Sequence, residues 1–168
     1  DVGINPDCKP DVLYQYAILG SLYAELVYNI KKPRVALFNI GQEEEKGNLL
    51  TKATYQAMKG TKDFNFIGNV EGTDIFSDYV DVIICDGFVG NTIIKEAEAF
   101  YSLIKKKNIK DDFFEKFNYE NHGGTPILGI NAPAIIGHGI SGPIAIKNMV
   151  LHTASVLESK LTEKIKKA

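Results

Sequence analysis

Three stretches of the sequence carry side chains suited to gripping an anion or moving a proton. In EEEKGN, Lys46 and Asn48 flank a glycine. In DGFVGNTIIK, Gly87, Gly90 and Asn91 precede Lys95, which lies one helical turn beyond Asn91. In GHGISG, His138 stands between two glycines. A lysine in a glycine-containing turn can contact a phosphate or a developing oxyanion. A histidine at a strand end is placed to act as a general acid or hydrogen-bond donor, and equally well as a structural residue. Asn5 in GIN and Asn69 in GNVEG occupy turns of the same kind.

Other chemistries lack their residues. The three histidines have no metal-ligand spacing, so no zinc site is expected. Cys8 and Cys85 form no paired motif, which argues against a disulfide framework. Cys85 sits in an apolar run with no adjacent base, a poor setting for a nucleophile. GHGISG spells G-x-G-x-x-G, but only one helix follows it, so no second strand can offer an acid to a ribose. The phosphate-loop pattern G-x-x-x-x-G-K-[ST] is absent.

The elements that must position these residues follow from periodicity. Residues 11–29 carry a broad helical stripe, opened by Pro10 and followed by Pro33. RVALFN (34–39) is a short apolar strand; 49–59 is a helix ended by Gly60. NFI (65–67) is a strand ended by Gly68, and 73–78 a short helix. Residues 80–85 form a strand, 92–107 a helix, 111–117 a short helix, 133–136 a strand and 143–164 a long closing helix. Alternating strands and helices with short, all-apolar strands point to an α/β domain over 1–168 with a mainly parallel sheet covered on both faces.

In such a sheet the strand-to-helix turns share the carboxyl edge, where ligands bind. The turns 3–5, 39–48, 68–72, 86–91 and 137–142 are all rich in Gly, Asn or Ser. Glycine admits close approach of backbone N–H groups, and helix starts favour anions. The same residues also serve as plain helix caps and tight turns, so each junction has a structural reading beside the functional one.

A net charge of −2 gives no general attraction to nucleic acid or anionic lipid. The short basic runs 105–107 and 164–167 suit solvated helix ends. No apolar run approaches the roughly 18 to 20 residues of a membrane span, and cysteine usage suits a reducing cytoplasm. The opening DVGIN reads as a strand end and its loop with no Met before it, so a piece of a longer chain is expected.

DVGIN, NIGQEEEKGN, FIGNVEG, DGFVGN, YENHGG and APAIIGHG, in this order and spacing, resemble the acyl-(acyl carrier protein):phosphate acyltransferases (PlsX) across essentially the whole chain. The match corresponds to the carboxyl-terminal half of that family's usual length. The resemblance implies a three-layer α/β/α fold related to isocitrate and isopropylmalate dehydrogenases, a homodimer, and no redox cofactor. It implies transfer of a long-chain acyl group from acyl carrier protein to inorganic phosphate, giving acyl phosphate for phospholipid synthesis. On that reading Lys46, Asn48, Asn91 and Lys95 are phosphate or oxyanion contacts, with Asn5, Asn69, Gly87 and Gly90 lining the site. His138 is the candidate for protonating the departing thiolate. The fragment alone is expected to be inactive.

One stretch departs from the family pattern. Between Lys107 and YENHGG the family has a longer helical pair with an apolar face, associated with peripheral membrane contact and dimer packing, and here only NIKDDFFEKFN fills the gap. Two other readings stand beside this one: an NAD-dependent decarboxylating dehydrogenase on the related fold, and a non-catalytic ligand-binding or oligomerisation domain.

Overall fold

A computed structural model describes residues 1–168. The chain divides into two compact units, Asp1–Asn91 and Thr92–Lys167.

The first unit holds α1 (Pro10–Leu26), β1 (Arg34–Phe38), α2 (Leu49–Met58), β2 (Asn65–Val70), a 3-10 turn (Gly72–Asp74), β3 (Val82–Ile84) and the first residues of α3 (Gly87–Lys106). The sheet order is β2-β1-β3, and both pairings are parallel. Helices flank this sheet, as expected for the α/β/α class. Val35, Ala36 and Leu37 of β1 are wholly buried. Consecutive residues of a strand point to opposite faces, so both faces of the central strand are covered. On one face α1 and α2 meet, packing Leu13, Ala17 and Met58 against Val35, Leu37 and Ile84.

The boundaries differ from the periodicity in informative ways. β2 does not stop at Gly68. It continues to Val70 through an irregularity in which Val35 pairs with Phe66 but Leu37 pairs with Asn69. The extra residue is a bulge, which re-aims the side chains after it. α3 starts at Gly87 rather than Thr92. The Asp86 carboxylate accepts from the Val89 N–H at 2.8 Å, so Asp86 opens the helix and Asn91 lies inside it.

The second unit contains the rest of α3, α4 (Asp112–Glu115), a 3-10 turn (Tyr119–Asn121), β4 (Thr125–Pro126), β5 (Ile135–Ile136), α5 (Pro143–Glu158) and α6 (Leu161–Ile165). β5 pairs antiparallel with β4 in a separate two-stranded sheet, so PAII does not extend the parallel one. The expected closing helix breaks at Lys160, whose backbone is left-handed (φ 55°). The core of this unit is small: Tyr101, Ala145, Val156 and Leu161 are buried. Phe113 stacks edge-on against Phe114 and Phe117, and stays about half exposed.

The start of the sheet is fixed by one ion pair. Asp81 accepts from the Arg34 backbone N–H and Nε, both at 2.8 Å, and from Nη2 at 2.9 Å. The Arg34 side chain, by its hydrogen bonds, holds the Asp81 carboxyl down to about 2. The pair therefore stabilises the fold above the ordinary carboxylate range and loses its contribution as pH falls from about 4 to about 2. Arg34 is 40% exposed, so solvent screening limits the effect to about 1 kcal/mol. Asp81→Asn should lower urea-unfolding stability by that amount at pH 7, and the gap from the parent should shrink toward pH 2.

Candidate functional site at the carboxyl edge and around His138

Because all three strands run the same way, the turns after β1, β2 and β3 share one edge. The chain leaves β1 toward β2 and returns to place β3 on the other side. In open α/β sheets ligands bind outside the carboxyl ends of the strands where the strand order reverses in this way.

On the β3 side, the turn 1–5 lies against the start of α3. The Asp1 amino group donates to the Cys85 carbonyl at 3.2 Å, and the Gly87 N–H donates to the Asn5 carbonyl at 2.8 Å. The Asp1 carboxylate accepts from the N–H groups of Gly3, Ile4 and Asn5, each at 2.8 Å. Asn5 donates through Nδ2 to Tyr16 Oη at 2.7 Å. Burial, with Cys8 nearby, pushes the Tyr16 phenol up to about 12, so at neutral pH it is a hydroxyl that donates to Asp1 at 3.2 Å. Gly90 is buried, and a side chain there would run into the Asp1 carbonyl oxygen. Asn91 is exposed beside Gly3. Asn5, Gly87, Gly90 and Asn91 thus lie near one another at this turn.

On the β1 side, two asparagines hold the loop 40–47. Asn39 is buried; its Oδ1 accepts from the Ile40 N–H at 2.9 Å and its Nδ2 donates to the Lys46 carbonyl at 3.1 Å. Asn69, re-aimed by the bulge, donates to the Glu43 carbonyl at 2.9 Å. Its Oδ1 is buried without a partner. Gly47 takes φ +97°, and a side chain there would strike Asn39 and Thr51. Asn48 caps α2 through Oδ1, accepting from the Thr51 N–H at 2.9 Å. Lys46 is exposed, and no ion pair of the chain engages its ammonium.

These contacts answer whether the helix starts offer free donors. The N–H groups of Thr51, Gly87 and Val89 are already satisfied by Asn48, Asn5 and Asp86. Burial pushes the Cys85 thiol up, which makes a thiolate less accessible.

In the second unit, Lys95 and His138 meet. Lys95 Nζ lies 3.4 Å from His138 Nε2 and 2.8 Å from Glu98 Oε2. Glu98 Oε2 is 3.7 Å from His138 Nε2. The Tyr119 ring lies against the imidazole, with centroids 5.0 Å apart. GHGISG follows β5, which has only an antiparallel partner, so it lacks the βαβ setting of a dinucleotide site. Sequence reasoning missed Asn39, Glu98 and Tyr119. A polar residue closing an apolar strand marks Asn39, and its place three residues after Lys95 on a helix marks Glu98.

Glycine and asparagine turns at the carboxyl edge of a parallel sheet place the first unit in the α/β class, and the second unit holds a lysine–histidine pair. Comparison with known proteins makes this specific. A family model described as "Fatty acid synthesis protein" matches residues 1–113. A phosphate acyltransferase of Campylobacter lari is 44% identical over 186 residues, covering 99% of this chain and 56% of that protein. Phosphate acyltransferases of Dictyoglomus thermophilum (43% over 188 residues) and Clostridium acetobutylicum (41% over 184) each cover 98% of this chain and 55% of their own length. The chain belongs to the fatty acid synthesis protein family. It spans about 55% of the length of these relatives. The aligned length of 186 exceeds the 168 residues of this chain, so the Campylobacter protein has residues without counterparts here.

The packing of the turn 1–5 on α3 gives a paired test. Gly90→Ala should cost about 1–3 kcal/mol in chemical denaturation, because the methyl group meets backbone. Gly139→Ala, where no atom lies within 4 Å of the new methyl, should change stability by less than about 0.5 kcal/mol.

Proposed function

We propose that this chain is the carboxyl-terminal half of a phosphate acyltransferase that moves a long-chain acyl group from acyl carrier protein to inorganic phosphate. The observation that carries this is identity above 40% to proteins of that name along nearly the whole chain. Phosphate is itself an oxyanion nucleophile, so the reaction needs no activated serine or cysteine. A phosphate oxygen adds to the thioester carbonyl carbon to give a tetrahedral oxyanion, this collapses with cleavage of the C–S bond, and the thiolate takes a proton to leave as a thiol. The protein holds the phosphate in line and stabilises the tetrahedral oxyanion. We assign phosphate or oxyanion contact to Lys46, Asn48, Asn91 and Lys95, with Asn5, Asn69, Gly87 and Gly90 shaping the turns, and delivery of the proton to His138. The adjacency of Lys95 and His138 supports the last pairing. Asn69 is engaged within the loop and acts chiefly by shaping it, whereas Asn48 caps α2 through Oδ1 and has Nδ2 left to donate. The acyl phosphate serves phospholipid synthesis. The working form is a cytoplasmic homodimer, with any membrane contact peripheral; no helix of the chain is long and apolar enough to cross a membrane.

The test is acyl phosphate formation from long-chain acyl carrier protein and inorganic phosphate by the full reading frame that contains this chain. Activity is expected there and not from residues 1–168 alone. Lys95→Ala and His138→Ala should each lower kcat by roughly 10²-fold or more. A full-length protein that forms no acyl phosphate would sink the reading.

A further inference from the structure

Lys95 and His138 pose a positioning problem. Their nitrogens are 3.4 Å apart, and two mobile side chains from separate segments keep that spacing only when neighbouring groups hold them. His138 is about two-thirds buried. The groups facing it are Lys95 and Glu98 from α3 and Tyr119 from the 3-10 turn. The Glu120 carboxylate stands beside Gly142 of the same glycine loop. Among these, Glu98 alone places one carboxylate oxygen close to both nitrogens, 2.8 Å from Lys95 and 3.7 Å from His138.

We propose that Glu98 is a positioning residue that holds Lys95 against His138 as one pair, with Tyr119 setting the plane of the imidazole. Glu98 fixes the lysine side chain, so that its ammonium stays beside the imidazole instead of swinging into solvent. It is three residues from Lys95 on α3, so both side chains leave the same helix face. The helix fixes one side of the pair. On the other side, the Tyr119 ring lies tilted by 33° over the imidazole. The Tyr119 hydroxyl donates to the Ile140 carbonyl, and the Ser141 hydroxyl to the His138 carbonyl at 2.7 Å. The loop that carries His138 is therefore braced by the same turn that carries Tyr119. Glu98 touches neither substrate nor reacting atoms in this assignment; it acts through its two partners. The catalytic consequence rests on the acyltransferase reading, whereas the geometric claim does not.

The variant that separates charge from shape is Glu98→Gln, which keeps the size of the side chain and can still accept from Lys95. Two readouts are taken in the full-length protein. The first is steady-state kinetics with long-chain acyl carrier protein and inorganic phosphate. Glu98→Gln should lower kcat by roughly tenfold or more while the KM for the acyl thioester stays within about twofold; Glu98→Asp should recover some of the loss. The second is the imidazole nitrogen spectrum by NMR, assigned by His138→Gln. The His138 ring signals should move in Glu98→Gln, and the spectrum of the exposed control Glu96→Gln should match the parent. Unmoved His138 signals in Glu98→Gln would overturn the proposal whatever the activity, as would an unchanged kcat in an active enzyme. A parent protein that makes no acyl phosphate would sink the acyltransferase reading alone, and the His138 signals would still decide the positioning claim.

Discussion

The central strand of the sheet has to be dry on both faces. Val35, Ala36 and Leu37 have no exposed surface, which requires a strand on each side and helices above and below. Parallel neighbours follow because each connection crosses over through a helix or a long loop rather than a hairpin. Once β2 and β3 run beside β1 in the same sense, their carboxyl ends share an edge. The Arg34–Asp81 pair anchors the opposite end, so that edge is where glycine and asparagine turns can be displayed without disturbing the core.

At that edge the turns are held mainly by their own polar side chains. Asp1, Asn39, Asn48, Asn69 and Asp86 each take a backbone group of a neighbouring turn or helix start. Lys46 is exposed in the first unit. In the second, Lys95 is tied to Glu98 and His138. A lysine held this way gives up rotamer freedom in the fold itself rather than at the moment of binding.

The second unit follows a different rule. Its helix α5 buries Ala145 and Val156 yet exposes Ile144, Ile146, Val150 and Leu151. The backbone here is ordered by local devices instead of a deep core: Asp111 caps α4, Asn118 caps the 3-10 turn, and Asn148 reaches the Glu120 carbonyl. Such contacts fix loops at low cost in apolar surface. This is where His138 and Tyr119 acquire their arrangement.

Much of this was legible in the residues. The run RVALF, four apolar residues after Arg34, determined a strand buried on both faces, because only such a place rewards consecutive apolar residues. Helical periodicity determined α1 and α2, and the repeated Gly/Asn turns determined that one edge would be polar and tight. Local rules went no further. The bulge that turns Asn69 inward depends on how β2 registers against β1. The start of α3 at Gly87 depends on Asp86 and on the turn 1–5 accepting its first amide. The pairing of PAII depends on the nearby β4, and the break at Lys160 on packing of the last turn. Above all, 43 residues separate Lys95 from His138, and no periodicity reports on a contact across that distance. Sequence set which side chains were available and which strand had to be buried; only the packed chain decided which of them face one another, because long-range register is fixed by the sum of contacts and not by any one segment.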